Sequence, residues 1–478
     1  MTTTESPDAA IPAARTEQPA PTLLHVDPRT LVVEANVRTE ARLDKDFVAT
    51  IREHGVLTPI RAWRAQTGEL TVVMGKRRTL GAIEAGCQTV PVHVVEAPSA
   101  EAARIVFQLI ENDHRTALRD AERAQAYHQL SLLGMPAALI ARRTCTHRKQ
   151  VDTALRVGAS ELAAKAIDRF ELTLDQAATL VEFEDDTEAV KALTVAAKKR
   201  PDQFEHIAQR LRDERRDTAA RADLAAHLAE AGATVIDPIS HDDHKARRLD
   251  ELLVSQEVPS ALTPDVHKDC PGDAAFVSEQ GWGEHRTVVA VFVCRDWQAH
   301  GHMLRYPTAT SGVKQPMTEA DKLQRRTTIA NNKAWDSAVA VRERWLTGFL
   351  AGKTPPKDAQ RWIAVMLAKG SHALRRAMED GHATAAKLLR LRTKPATPAA
   401  GANPVSVAAS KAGPERATMI TLAVLLAGLE KAVTREAWRN PTEADRDYFT
   451  ALQHWGYPLS DVEQLVITPP VGVQQDAQ

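Results

Sequence analysis

Residues 267–302 hold two short pairs of soft metal-ligand residues. His267 and Cys270 are spaced H-x2-C, Cys294 and His300 are spaced C-x5-H, and His302 stands two residues further on. Sulfur and imidazole nitrogen complete tetrahedral zinc sites, and two short pairs separated by a β-like span are the pattern of a zinc ribbon. A Zn2+ ion there would be structural, because four protein ligands close its shell. The other reading is a surface loop with chance histidines and two buried cysteines, and metal analysis separates the two. Cys87 and Cys145 have no such neighbours and read as small apolar residues.

A second set of residues could read nucleic acid. In residues 136–157, PAALIARRTCTHRKQVDTALRV, Pro136 can open a helix whose buried side is Leu139, Ile140 and Ala141. A break follows at Thr144-Cys145-Thr146, with Thr146 as N-cap of a second helix that buries Val151, Ala154 and Leu155. The tight crossing this implies is that of a helix-turn-helix. The second helix is expected to present His147, Arg148, Lys149, Gln150 and Thr153 outward. Residues 142–156 hold Arg142, Arg143, Arg148, Lys149 and Arg156 against Asp152, a local charge of 5 − 1 = +4. Donors near the start of such a helix suit base edges in the major groove of double-stranded DNA, and the flanking cations suit phosphates. An ordinary helical hairpin with a basic solvent face is the alternative. Cys145 takes a turn position that usually favours glycine.

These residues sit in a chain of 478 residues, with 61 Lys and Arg against 62 Asp and Glu and a net charge of −1. At roughly 100–200 residues per domain, about three domains are expected. Near-neutrality excludes a protein that coats DNA through bulk charge, though not a local DNA-binding face. No apolar run approaches the ~20 residues of a membrane span. The first residues have no apolar signal-peptide core, which makes the cytoplasm the expected compartment. Four cysteines in this length cannot be a disulfide framework.

The elements that would position the sites follow from composition and periodicity. Residues 1–22 read as a disordered tail. Residues 23–118 mix strands and helices: residues 31–33, 70–74 and 90–95 are β-rich, and residues 46–53 read as a helix ended by Gly55. Ala102, Ile105, Val106, Leu109 and Ile110 then recur at helical spacing. Residues 119–232 read as a helical domain carrying the helix-turn-helix. Within it, residues 198–221 hold eight Lys and Arg and five Asp and Glu, read as a solvated face. Residues 233–310 are mixed, with residues 287–294 the best strand, and contain the candidate zinc ligands. Residues 311–392 return to helix, residues 393–414 read as a linker, and residues 415–478 as a small helical unit. Trp335, Ala338, Val341, Arg342 and Trp345, and later Trp362, Val365, Met366 and Lys369, fall at helical spacing and read as core. The fold class is an α+β N-terminal domain, an all-α helix-turn-helix domain, and a mostly helical C-terminal region with a small zinc-ribbon-like β insert.

Four further segments occur in order: Asn36-Val37-Arg38, then Gly55-Val56-Leu57-Thr58-Pro59-Ile60, then Gly75-Lys76-Arg77-Arg78-Thr79-Leu80-Gly81-Ala82, then Glu111-Asn112-Asp113-His114-Arg115-Thr116-Ala117-Leu118. With the helix-turn-helix some 20 residues later, this order resembles the ParB family of chromosome and plasmid partition proteins. The resemblance covers roughly residues 23–220. It implies a CTP-binding N-terminal domain, a homodimer that loads at a centromere-like DNA site, closes around the duplex as a sliding clamp when CTP binds, and acts with a ParA-type ATPase. Carried over, Gly55, Val56, Leu57, Thr58 and Pro59 would lie against the cytosine. Gly75, Lys76, Arg77 and Arg78 would meet the triphosphate, Glu111 and Asn112 would sit beside Mg2+, and Arg115 beside the phosphates. The residue types suit these jobs. Gly75 permits close backbone approach, paired guanidinium groups match phosphate oxygens, and a carboxylate with an amide oxygen are hard ligands for Mg2+. Read by themselves, Arg77 and Arg78 are equally well surface cations and Glu111 a helix-end carboxylate.

Lys76 stands where the family usually has an acidic residue, so nucleotide binding is expected with weak or absent CTP hydrolysis. Arg15, the one basic residue of the tail, is a candidate contact for the ATPase. The expected location is cytoplasmic, on a nucleoid or plasmid. A site-specific transcriptional regulator with the same helix-turn-helix is the alternative. A nuclease or phosphotransferase on the same N-terminal fold is disfavoured, since no His/Asp cluster of nuclease type is visible.

Overall fold

The computed structural model describes residues 22–33, 43–65, 67–95, 119–239, 245–255, 260–281, 286–306, 318–379, 382–391 and 403–468, together with Ala102, Ile105, Val106 and Leu109 of one further helix. They form two compact units, one ending at Val190 and one starting at Lys191. No described helix is long and apolar enough to cross a membrane.

The first unit begins with β1 (Thr22–Val26), α1 (Lys45–His54), β2 (Ile60–Arg64), β3 (Leu70–Met74), α2 (Lys76–Ala85) and β4 (Val90–Val95). The sheet order is β1-β4-β2-β3. β2 and β4 run parallel, and the other pairs are antiparallel. Such a parallel pair needs a crossover, which β3 and α2 supply. Ile60, Ala62, Ala82, Val90 and Val92 form the buried centre. α1 extends one residue beyond the expected helix at each end, because Asp44 caps it by accepting the Phe47 N–H at 2.6 Å and Gly55 ends it at φ +70°. Gly81 lets α2 press on α1: a Cβ there would fall 2.8 Å from Ile51 Cδ1. Two expectations change. The β-rich run at residues 31–33 contributes only an isolated bridge from Val32 to Thr71. β2, which was not anticipated, hides its periodicity behind Arg61 and Arg64. Thr22 belongs to β1 rather than to the tail.

Five helices follow: α3 (Asp120–Leu132), α4 (Ala137–Arg143), α5 (Arg148–Ala159), α6 (Glu161–Phe170) and α7 (Leu174–Glu182). α3 and α5 cross so closely at Gly158 that a Cβ there would lie 2.5 Å from the Ala124 carbonyl oxygen. The Asp120 carboxylate accepts the Leu174 N–H at 3.1 Å, tying the start of α7 to the start of α3. α8 (Thr187–Lys199) spans the boundary between the units.

In the second unit, α9 (Phe204–Glu230) precedes β5 (Arg247–Arg248), β6 (Leu252–Leu253), the short α10 (Pro264–His267), β7 (Asp273–Gln280), β8 (Thr287–Cys294) and β9 (Met303–Leu304). The strands make a β5-β8-β7 sheet and a separate β6-β9 pair. The helical domain expected to end at residue 232 is therefore divided at residue 190, because α9 packs on β7 and β8 and on the long α11 (Glu319–Leu350). Its charged run is not simply solvated either. Asp217 accepts from Arg286 at 2.5 Å, Asp213 from Ser337 at 2.8 Å, and Gln209 from Arg344 at 2.7 Å.

The remaining helices are α12 (Ala359–Lys369), α13 (His372–Glu379), α14 (Ala383–Leu388), α15 (Pro404–Ser410), α16 (Pro414–Ala432), α17 (Glu443–His454) and α18 (Asp461–Ile467). They share one core with α11, in which Trp335, Leu346, Met366, Leu422, Leu426, Tyr448 and Phe449 are buried. The expected linker at residues 393–414 is interrupted by α15, whose Val405 is buried in that core. Val365 and Lys369 depart from their expected core role and are exposed. Arg342 lies at the centre, 1% exposed. Its Nε and Nη2 donate to Glu430 at 2.7 and 2.8 Å, and its Nη1 donates to Glu463. Burial works against its charge, but the carboxylates of Glu430 and Glu463 outweigh it and hold the guanidinium well above its ordinary pKa.

Candidate functional site

The loop at residues 55–59 and the start of α2 come together at one end of the first sheet. Gly75 caps α2 at φ +101° and supplies no side-chain cap. A Cβ there would crowd the Arg78 guanidinium and Ile60 at 3.4 Å. The first turn of α2 holds Lys76, Arg77 and Arg78 and no acidic residue. Three cations at the positive end of a helix dipole oppose helix formation, and an anion placed there reverses the sign of that interaction. Arg78 Nη1 donates to the carbonyl oxygens of Thr58 at 2.5 Å and Pro59 at 3.0 Å, so the guanidinium fastens the loop to the helix start. Arg77 turns the other way. Its Nη2 meets Asp44 at 2.5 Å and its guanidinium lies 4.3 Å over the Phe47 ring. Val56 packs against the sheet core, while Leu57 stands 81% exposed at the loop tip. Glu111, Asn112 and Arg115 lie outside the described residues.

α4 and α5 span the segment read as a helix-turn-helix and pack against α3. Ile140, Val151, Ala154 and Val157 fill the crossing with no exposure. The turn takes left-handed geometry at Cys145, φ +53°, and the Thr146 N–H returns to the Ala141 carbonyl at 3.0 Å. The Tyr127 hydroxyl reaches Thr146 Oγ1 at 3.1 Å and Thr144 Oγ1 at 3.5 Å. Arg142, Arg143, His147, Arg148, Lys149, Gln150 and Arg156 are exposed. Arg148 also pairs with Asp152 at 3.2 Å. Two expectations are corrected. Thr153 is buried, because it shares the inner face of α5 with Val151, Ala154 and Val157. Thr146 is half-buried under Tyr127, and His147 takes the N-cap position instead.

The candidate metal ligands also converge. His267, Cys270, Cys294 and His302 bring one ligand atom each to within 4.8 Å of one another. His300 is not in that set, although its ring lies close enough to Gly272 that a Cβ there would meet it at 2.7 Å. His267 Nδ1 lies 2.7 Å from Asp273 Oδ1. His302 Nδ1 lies 2.9 Å from the Val254 carbonyl oxygen, and its Nε2 lies 3.6 Å from Cys270 Sγ. Burial pushes the Cys294 thiol up to about 11. Burial also lowers the His267 imidazole below its ordinary value, against the pull of Asp273.

Sequence reasoning missed Asp44, Tyr127, Gly272 and Asp273. Asp44 was findable as the capping residue three positions before Phe47. The other three act through contacts that spacing does not encode.

Residues 23–113 match the family model of the ParB N-terminal domain. A probable chromosome-partitioning protein ParB of Treponema pallidum is 34% identical over 142 residues, 29% of this chain and 41% of that protein. The chromosome-partitioning protein Spo0J of Thermus thermophilus is 34% identical over 141 residues, 29% of this chain and 51% of that protein. The chain thus spans about half or less of the length of these relatives. Among solved structures, the C-terminally truncated ParB from Caulobacter crescentus complexed with CTP-gamma-S is 26% identical, with a TM-score of 0.18, covering 36% of this chain and 98% of that chain. Its complex with the centromeric parS site is 22% identical, with a TM-score of 0.28, covering 36% and 92%. Scores this low add nothing to the fold described above.

Proposed function

From the premise that this chain carries a ParB-type N-terminal domain, we propose that it is a DNA partition protein. It binds a centromere-like duplex site through α4 and α5 and is gated by CTP held between residues 55–59 and the start of α2. The observation that carries the reading is the Arg78 link from α2 to the Thr58 and Pro59 carbonyls. It couples the loop assigned to the base with the helix start assigned to the triphosphate, so a ligand touching one is felt by the other.

The residues fit a nucleotide. Backbone N–H groups with no side-chain cap, a glycine at positive φ, and three cations in a first turn that holds no acidic residue suit a polyphosphate. The exposed Leu57 offers an apolar face to a base. A bound nucleotide supplies the charge that neutralises this helix start. Mg2+ would fall to Glu111 and Asn112 by the family resemblance. Lys76 adds attraction for anions and removes a carboxylate from the site, so binding is expected with slow turnover, and rapid phosphate release with CTP and cognate DNA overturns that expectation.

On the DNA side, Lys149, Gln150 and His147 at the start of α5 reach base edges, and Arg142, Arg143 and Arg156 reach phosphates. Homodimerisation, a ParA-type ATPase partner, and a cytoplasmic location on a nucleoid or plasmid complete the proposal. The test is immunoprecipitation of bound DNA with and without Arg78→Ala. A broad peak that collapses to a narrow one supports a CTP-gated clamp. A narrow peak in both overturns it in favour of a site-specific regulator.

A further inference from the structure

We infer that His267, Cys270, Cys294 and His302 form a closed structural zinc site in the second unit, and that His300 stays outside its shell. All four ligands belong to the second unit.

Four observations carry it. The four ligand atoms converge from three separate places: the end of α10 and the turn after it, the end of β8, and the approach to β9. Tetrahedral zinc with sulfur at about 2.3 Å and nitrogen at about 2.0–2.1 Å sets its ligand atoms roughly 3.3–3.8 Å apart. Cys270 Sγ and His302 Nε2 are already at 3.6 Å, and the largest separation in the set, within 4.8 Å, closes with a small inward movement.

The tautomers are fixed from outside. Asp273 engages His267 Nδ1 and the Val254 carbonyl engages His302 Nδ1. Both rings therefore turn an unprotonated Nε2 toward the sulfurs. This carboxylate or carbonyl behind an imidazole is the usual support of a zinc-bound histidine. His267 is 1% exposed, and its Nε2 is buried without a hydrogen-bond partner among the described residues. A buried imidazole nitrogen with no partner costs stability unless something accepts its lone pair.

The backbone is shaped for two sulfurs. The Gly272 N–H donates to Cys270 Sγ at 3.4 Å. A Cβ on Gly272 would fall 2.6 Å from Cys294 Sγ, so any larger residue would push the sulfur out of place.

The surrounding module also needs a cross-link. Its core consists of Leu249, Leu252, Leu262 and Cys294 with a few half-buried neighbours. β5, β6 and β9 have two residues each, far too few to hold by pairing alone. Small modules with so little core depend on a metal or another staple. Two sulfurs and two imidazoles are a donor set that suits a four-coordinate structural zinc ion.

The test is the zinc content of the full chain after dialysis against buffered zinc, with cobalt(II) substitution as the geometric probe. Expected are one zinc per chain and a tetrahedral cobalt spectrum with sulfur-to-cobalt charge transfer. Cys294→Ser and His302→Ala should lose the metal, and His300→Ala should keep it. Asp273→Asn should weaken zinc affinity 10–100-fold in a chelator competition. Substoichiometric zinc in the wild-type chain, an octahedral cobalt spectrum, or loss in His300→Ala equal to that in His302→Ala overturns the assignment. Should Cys294→Ser or His302→Ala fail to fold, the wild-type cobalt spectrum and His300→Ala still decide it.

Discussion

The Tyr127 hydroxyl lies 3.1 Å from Thr146 Oγ1. A buried phenol on α3 thereby fixes the turn that sets the angle between α4 and α5. Cys145 pays a left-handed backbone cost in that turn, and the threonine–tyrosine contacts on either side of it offset part of that cost. Tyr127→Phe should keep the packing and lose the pin. The expected outcome is a loss of about 1 kcal/mol in denaturant unfolding, with DNA affinity falling further than stability alone accounts for. Equal affinity in the folded variant shows that packing alone sets the angle.

Arg77 and Arg78 are adjacent but engaged in opposite directions, and their substitutions should separate. Arg77→Ala breaks an exposed pair with Asp44, worth about 1 kcal/mol at most, and should lower CTP affinity modestly. Arg78→Ala releases the loop at residues 55–59 and should lower it at least tenfold, about 1.4 kcal/mol. Calorimetric titration with CTP checks both, and equal losses dissociate the loop contact from binding.

Arg342 neutralises two buried carboxylates. Arg342→Met should destabilise the second unit by about 3–5 kcal/mol, because Glu430 and Glu463 are left buried without a counter-charge. Replacing both glutamates by apolar residues in the Arg342→Met background should recover a large part of that loss. Chemical unfolding of the single and triple variants checks it. A triple variant no more stable than the single shows that packing, rather than charge, holds the three helices.

The start of α11 should be acid-sensitive. The Thr318 hydroxyl and backbone N–H donate to the Asp321 carboxylate at 2.7 and 3.0 Å, and these bonds hold its pKa below the ordinary 3.8. Its contribution is present above the unfolded-state pKa and is lost as the pH falls through the lower native value. Protection of the amides in the first turn of α11 against exchange should therefore fall as the pH drops below 3.8, and Thr318→Ala should shrink that pH-dependent loss.

Much of the fold was legible because local chemistry dictates it. The two helices within residues 136–157 were legible through Ile140, Val151 and Ala154, which are buried as their spacing requires. β3 and β4 were readable from their β-branched runs. β2 was not, since two arginines break its pattern and its place is set by pairing with a strand some 30 residues later. The division at residue 190 was illegible for a related reason. The charges of α9 look solvated until Asp217 and Asp213 meet Arg286 and Ser337 from distant segments. At the candidate metal cluster, spacing brought forward five ligands. Only the fold separates His302, oriented by the Val254 carbonyl, from His300.

The sheet order places the first and last strands of the N-terminal domain side by side. A ribosome making this chain has to deliver residues 90–94 before residues 22–26 acquire their sheet neighbours. Until then Leu24 and Val26 travel as a bare strand edge, open to pairing with another nascent chain. Synonymous codons that slow translation between β1 and β4 would lengthen that interval, so the yield of correctly closed domain should depend on the speed of synthesis over this stretch as well as on the amino acids it encodes.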